Sequence, residues 1–398
     1  MSAWPQAGIN KDGWGGGAGV RRRVDRRRVL LGTVTPLASI FGSGFLIIVP
    51  VLARTLGVLS VVGAAGVCAL AWVAGTAIRH CVRVVEPRTA AGELDRGTHR
   101  LDRLADAVIV IAYVISVALY LRILAQYVFH LFGDGSPVGE RVLAAAIVGV
   151  IAGIGIVRGF QGLDVLDRVA LIGVLVLVTV LIVVLAYHDI HTWAQGGLRR
   201  PPSPPADPVR ALLTLGGVVI TVQGFETVRY LGDQYDTETR VQASRVAQLV
   251  ATVIYVALVA VATPVMGLGS NAGADTTLLE IIRRVVPLLA GPLVIIAVLS
   301  QLSAATADTV AAEGNLAGLT DWMRGARPYL ISAAAAIALA ATVSTFAIVA
   351  LASRAFAAYY GLQALMALRA STGSARKAGY AVLAVVMFDI TALAQPAG

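Results

Sequence analysis

Apolar runs recur along almost the whole chain, separated by short polar or charged stretches. Eleven can be marked, near residues 29–53, 57–78, 104–132, 141–157, 165–187, 209–232, 243–268, 285–312, 328–349, 351–369 and 378–395. At a rise of 1.5 Å per residue, about 20 apolar residues cross a hydrocarbon core of about 30 Å, so these runs predict transmembrane helices. Only Ser353-Arg354 punctuates the 41 mostly apolar residues of the ninth and tenth, so the join between them is weakly marked. Two runs are broken where a membrane helix would be continuous. Gly42-Ser43-Gly44 interrupts the first, and Gln223-Gly224-Phe225-Glu226 interrupts the sixth. A helix in lipid protects its N–H and C=O groups by bonding them internally, and glycine weakens that arrangement. Paired breaks at matching places in two halves therefore predict helices that unwind around a ligand.

Composition sharpens this picture. With 57% apolar and 14% charged residues, the chain of 398 residues has too little polar surface for a soluble fold and reads as a polytopic membrane protein. Its net charge of +9 would suit a nucleic-acid partner, but the distribution argues for topology instead. If the N-terminus lies inside, segments on that side hold 23 of the 32 basic residues, among them the cluster Arg21 to Arg28 and the run Arg79 to Arg103. Eight lie in outside segments and Arg122 lies within a span. The positive-inside rule thus predicts a plasma-membrane protein with a cytoplasmic N-terminus and, for eleven spans, a short external C-terminus. No nucleic acid is expected as a partner.

Residues 1–27 read as a disordered basic cytoplasmic tail, 28–187 as a first set of five helices, and 188–208 as an external linker stiffened by Pro201-Pro202-Ser203-Pro204-Pro205. Residues 209–370 read as a second set of five, and 371–398 as an eleventh helix and short tail. An odd number of spans per set places the two halves in opposite orientations, an inverted repeat whose first helices are the two broken ones. Cys68 and Cys81 supply neither a disulfide framework nor metal-ligand spacing.

Ser39-Ile40-Phe41-Gly42-Ser43-Gly44-Phe45 resembles the "IIGSGIF" stretch in the first helix of the amino acid–polyamine–organocation (APC) superfamily, and Gly224-Phe225-Glu226 resembles the "GFE" of its sixth helix. The likeness covers about a dozen residues, while the topology agrees over nearly the whole chain. It implies an all-α membrane protein of the LeuT fold, with a 5+5 inverted repeat, discontinuous helices one and six, one extra helix and a central site. Members usually have twelve helices, one more than is seen here.

The candidate chemistry sits at the breaks and on two other spans. Unwound Gly42 to Gly44 can aim backbone N–H groups at one point, with the dipole of the following helix adding positive charge, an arrangement suited to a carboxylate. By resemblance, the substrate carboxylate lies there. Carbonyls around Phe41, Gln223 and Gly224 can accept from an ammonium. Glu226 either takes up a proton or ties the broken helix to its neighbours, and by resemblance Phe225 covers the site. Span eight, Ser300 to Thr309, carries six polar residues pointing all round the helix, so protein encloses it or it lines an aqueous path. Asp308-Thr309 matches the acidic–hydroxyl pair of neurotransmitter:sodium symporters of this fold, where it binds sodium with first-helix carbonyls; here those would be Ala38 and Phe41. Oxygen ligands suit Na⁺, and a desolvated aspartate equally suits a proton. Tyr113, Ser116 and Tyr120 share one face of span three. Arg122 and Gln126 lie opposite, and Arg122, deep in the span, is expected to meet a carboxylate from another helix.

Taken together, the residues predict a secondary active transporter that imports a small solute by alternating access, coupled to Na⁺ or H⁺ and needing no other cofactor. The leading substrate is an amino acid or related amine-carboxylate. The predicted contacts are Ser39, Phe41, Gly42, Ser43, Gly44, Tyr113, Ser116, Tyr120, Gln223, Gly224, Phe225, Glu226 and Ser303, with Ala38, Phe41, Asp308 and Thr309 at the coupling ion. Rival readings are the same fold carrying an inorganic ion or a non-amino carboxylate, and a membrane sensor or assembly subunit that binds without translocating. No phosphate-binding loop suggests an ATP-driven pump, and no nucleophile–base or metal constellation suggests an enzyme. His188-Asp189-Ile190-His191 has metal-pair spacing but reads as a loop at a membrane exit. Asp389, inside the last span, fits an assembly role; homo-oligomerisation stays open.

Overall fold

The computed structural model describes residues 25–42, 44–132, 136–158, 163–197, 207–269, 276–319, 322–323 and 325–396. Ser43, most of the N-terminal tail and the Pro201–Pro205 linker lie outside the described residues. Among those described the chain is all helical, with no strand, and seven helical stretches are long and apolar enough to cross a membrane.

The first apolar run forms two helices, α1 (Arg26–Ile40) and α2 (Gly44–Leu56), with the predicted break between them. Asp25 caps α1 by accepting the Arg27 N–H at 2.9 Å. Next come α3 (Ser60–His80), a π turn over Cys81–Val85, and the short α4 (Glu86–Ala90). Helix α5 runs from Arg96 to Phe132, and α6 (Pro137–Arg158) and α7 (Leu163–Ala194) follow. The charged segment 79–103, expected as a connection, is therefore mostly helical. His188 and His191 belong to the last turns of α7 rather than to a loop.

The sixth run begins as α8 (Pro208–Gly216), capped by Asp207, and continues as tight 3-10 turns over Val219–Val222 and Phe225–Leu231, with Gly224 at φ 122° between them. After it come α9 (Thr237–Ala262), α10 (Thr277–Val285), α11 (Ala290–Leu319), α12 (Arg327–Thr342), α13 (Thr345–Ala370) and α14 (Ser374–Leu393). Helix α10, within a stretch expected as a loop, buries Leu278, Leu279, Ile281 and Ile282. The join between the ninth and tenth runs needs correcting. It falls at Val343-Ser344, both extended, because a run of β-branched and hydroxyl residues (Thr342 to Thr345) favours turn and cap conformations over helix. Ser353-Arg354 lies within α13, where Ser353 donates to the Gly217 carbonyl at 2.9 Å and Arg354 to that of Ala394.

Helices α5 and α11 pack together at the centre. Around them α6 packs on α12, α3 on α9, α7 on α11 and α13 on α5, while α14 lies against α13. The largest fully buried side chains include Tyr113, Tyr120, Tyr255, Tyr360, Phe41 and Phe225, which cluster where the two broken segments pass through this core.

Candidate functional site

Helix α1 ends because the Gly42 N–H turns back to the Ser39 carbonyl at 3.1 Å, while that of Phe41 still reaches Leu37 at 3.0 Å. The Ala38 carbonyl thereby loses the amide that a continuing helix would give it. The second break presses directly on the first. A side chain at Gly224 would place its Cβ 2.6 Å from the Ile40 nitrogen, and one at Gly44 would run into the Thr221 carbonyl and the Tyr255 hydroxyl. Glycine is needed at these positions because two backbones touch.

Most polar groups at this junction are committed to one another. The Ile40 carbonyl accepts from the Tyr255 hydroxyl at 2.7 Å and that of Gly42 from Gln301 Nε2 at 2.6 Å. Gly224 donates its N–H to Glu226 Oε2 at 2.9 Å, and the same oxygen accepts from the Tyr360 hydroxyl at 3.0 Å. Glu226 thus closes the break on itself and ties it to α13. The Gly224 carbonyl is taken by Thr227, from its N–H at 3.1 Å and its hydroxyl at 2.7 Å. Phe41 meets Tyr255 edge-on and Phe225 stacks on Tyr360, each pair with centroids 5.1 Å apart.

Beside the junction, on the side where α1 begins, lies a cavity of about 450 Å³. Thr35, Ala38 and Ser39 of α1, Tyr113 of α5, and Thr227 and Tyr230 of the second broken segment line it. Asp167 of α7 and Ser303, Ala304, Asp308 and Asn315 of α11 complete the polar wall. The Ser303 hydroxyl donates to Asp167. Asp308 is 3% exposed and lies beside Tyr120, whose hydroxyl accepts from Gln223 Nε2 at 2.9 Å. A hydrogen bond so links the second break to α5, beside the α11 carboxylate. Asp308 Oδ2 has no hydrogen-bond partner among the described residues. Two carboxylates and no Lys, Arg or His among the described lining residues make this wall attractive to positive charge.

The predicted residues sort accordingly. Ala38, Ser39, Tyr113, Ser303 and Asp308 reach the cavity. Phe41, Gly42, Gly44, Ser116, Tyr120, Gln223, Gly224, Phe225 and Glu226 are buried in the junction around it. Thr309 is not brought to Asp308's carboxylate. Neighbours on a helix point about 100° apart, and the Thr309 hydroxyl bonds the Ala305 carbonyl at 2.7 Å on the side of α11 that faces Val114 and Ser332. Arg122 meets the Ala340 carbonyl at 3.0 Å rather than a carboxylate. It lies at the C-terminal end of α12, where carbonyls lack helical partners and the dipole favours a cation. Asp389 is exposed on α14 beside a groove lined by Leu56, Leu212 and Leu393, remote from this junction.

A family model described as APC superfamily transporter matches residues 22–394. The chain belongs to that family. An uncharacterized protein of Aquifex aeolicus (strain VF5) is 32% identical over 321 residues, covering 79% of this chain and 78% of the relative. Among solved structures, a manganese transporter of Eremococcus coleocola superposes with a TM-score of 0.55 at 12% identity, over 94% of this chain and 87% of that one. A Na⁺-coupled sialic acid symporter in a substrate-bound, outward-open state gives 0.52 at 12% identity, over 92% and 95%. At such identity the likeness is one of fold, and that fold is the LeuT-like one. Family and structural neighbours alike are transporters rather than enzymes.

In this APC superfamily chain, sequence reasoning missed Asp167, Gln301, Thr35, Thr227, Tyr230 and Asn315. Asp167 lies beside Arg168 at the edge of an apolar run, where a lone charge carries no signal of a site. A signal for Gln301 and Asn315 was present: with Ala304, Asp308 and Ala311 they recur at i, i+3, i+7, i+10 and i+14, one face of α11.

Proposed function

We propose that this chain is a secondary active transporter that moves a small solute by alternating access, coupled to Na⁺ or H⁺. The observation that carries this reading is the contact of two broken segments above a cavity that holds a buried, partly unpaired carboxylate, Asp308. Broken helices meeting at a cavity are how transporters expose backbone polar groups without exposing them to lipid. The packing of α5 on α11, α6 on α12 and α3 on α9 pairs corresponding members of two five-helix sets, and supports the inverted repeat with an eleventh helix outside it. The charge distribution supports a cytoplasmic N-terminus, and the cavity then corresponds to an inward-facing state.

For the substrate we retain an amine-bearing solute, with an amino acid as the leading case. The acidic wall favours the ammonium end. A carboxylate end depends on the amides of the Gly42–Gly44 break, of which Gly42's is turned inward here. A coupling cation would draw on Asp308 and the Ala38 carbonyl, with Phe41 and Thr309 entering only after rearrangement. The second acid, Asp167, favours one rival, an inorganic cation as cargo. Uptake by proteoliposomes under imposed Na⁺ or H⁺ gradients tests the proposal. Gradient-driven accumulation of an amino acid or amine that Asp308→Ala abolishes is the expected result. Accumulation untouched by that variant would remove the coupling role, and failure to move any amine would remove the substrate class.

A further inference from the structure

Two glutamines flank the junction in the same unusual way. Gln301 of α11 is 0% exposed, and its Nε2 donates to the Gly42 carbonyl at 2.6 Å. Gln223 of the second break is 2% exposed, and its Nε2 donates to the Tyr120 hydroxyl at 2.9 Å. Each leaves its amide oxygen buried with no hydrogen-bond partner among the described residues. The Gln301 orientation is chemically fixed, because the Gly42 carbonyl can only accept and must be met by nitrogen. Gln223 presents its nitrogen to the Tyr120 hydroxyl. Gly42 and Tyr120 stand between them: Gln301 bonds the Gly42 carbonyl, Gln223 bonds the Tyr120 hydroxyl, and the Tyr120 ring lies 3.9 Å from the position a Cβ on Gly42 would take.

A buried acceptor left unpaired is costly, and folded proteins keep few of them without a reason. Gln301 lies about one turn of α11 before Ser303 and Ala304, which line the cavity, and Glu226 Oε1 and Asp308 Oδ2 are further unpaired acceptors at the junction. Another acceptor for a donor is wanted at the junction, because the Gly224 carbonyl expected to receive an ammonium is already taken by Thr227. We infer that the side-chain oxygens of Gln223 and Gln301 form a donor-binding subsite that selects solutes carrying N–H groups over equally charged solutes that lack them. This rests on the amine reading proposed above and adds the residues that decide which amines are accepted. The Gly42–Ala304 contact separates the subsite from the cavity, so the ligand's leading group reaches it as α1 and α11 part. Gln301 has a second effect, since the amide that offers oxygen to the ligand also holds the first break by its nitrogen.

Thermal-shift titration of the detergent-solubilised full chain with matched pairs tests this: glycine against its N-trimethylated analogue, and ethanolamine against choline. Each pair keeps the charge and removes the N–H donors. The wild type is expected to bind the primary amine of at least one pair at least tenfold more tightly, as a site built for hydrogen bonding rejects an analogue lacking the group. Gln301→Leu and Gln223→Leu should each erase that preference. Gln301→Glu keeps acceptor oxygens while losing the N–H to Gly42, so it should retain the preference even if its ligand-free melting temperature falls. Equal binding within both pairs, or a preference intact in both leucine variants, overturns the subsite alone. Absence of binding by all four probes overturns the subsite, and only if proteoliposomes also move no amine does the substrate reading fall with it.

Discussion

Tyr255 of α9 donates its hydroxyl to the carbonyl of Ile40 at 2.7 Å, while its ring meets Phe41 edge-on. The last residue of α1 is thus held from a helix that belongs to neither broken segment. Tyr255→Phe keeps the ring contact and removes only the donor, leaving a buried carbonyl unpaired. The expected cost is about 1–3 kcal/mol, read as a lower melting temperature in detergent. Because the freed carbonyl sits at the break, uptake should fall by more than the loss of folded protein explains. An unchanged melting temperature together with unchanged uptake would show that this bond does not hold the break.

Gly224 makes a harsher prediction. At φ 122° an L side chain is strained by about 1–3 kcal/mol, and the added Cβ would lie 2.6 Å from the Ile40 nitrogen. Gly224→Ala must therefore push the two breaks apart and is expected to abolish transport. Gly66→Ala on α3 is the control. Nothing lies within 4 Å of its Cβ position, and alanine favours helix by about 0.5–1 kcal/mol. If both variants transport like the wild type, the contact between the breaks is not needed.

The helical runs and both breaks were legible because they rest on short-range rules: hydrophobic length and glycine's effect on a helix. The join near Ser353-Arg354 was misplaced because polarity was taken as the marker, whereas the chain turns at Val343-Ser344, where backbone preference decides. Within the site, Asp308 and Tyr113 could be read from spacing on their own helices. That Thr309 points away from the Asp308 carboxylate here was not legible, because being adjacent in sequence hides a rotation of about 100°. Asp167 and the Arg122–Ala340 contact were out of reach, since each depends on a partner more than a hundred residues away.

Outside the spans, Asp95 caps α5. It accepts from the N–H groups of Gly97 and Thr98 at 3.0 and 3.1 Å and from the Thr98 hydroxyl, and Arg369 lies 2.8 Å away. The Thr98 hydroxyl and amide, with Arg369 adding a smaller pull, hold this carboxyl down from 3.8 to about 2. A folded value below the unfolded one means that the stabilisation is complete above the unfolded pKa and is lost as pH falls through the folded one. The melting temperatures of wild type and Asp95→Ala should therefore differ at pH 5 and converge between about pH 4 and pH 2. A difference constant across that window would contradict the cap's role in acid sensitivity.

The cavity lies on the side of the junction where α1 begins, which makes its sidedness measurable. Ser39 lines it, while Phe225, on the other broken segment, is 0% exposed and stacked on Tyr360. The native thiols offer little background, since Cys68 and Cys81 are 4% and 0% exposed. A membrane-impermeant maleimide should label Ser39→Cys in inside-out vesicles and leave Phe225→Cys unlabelled. With the proposed cytoplasmic N-terminus, right-side-out vesicles should leave both unlabelled in this state. A solute that drives the opposite state should then lower Ser39→Cys labelling in inside-out vesicles, because closing the cavity removes the path to the thiol. Labelling of Ser39→Cys from the external side alone would reverse the orientation inferred from the arginines. Labelling that no transported solute changes would mean that the cavity does not alternate.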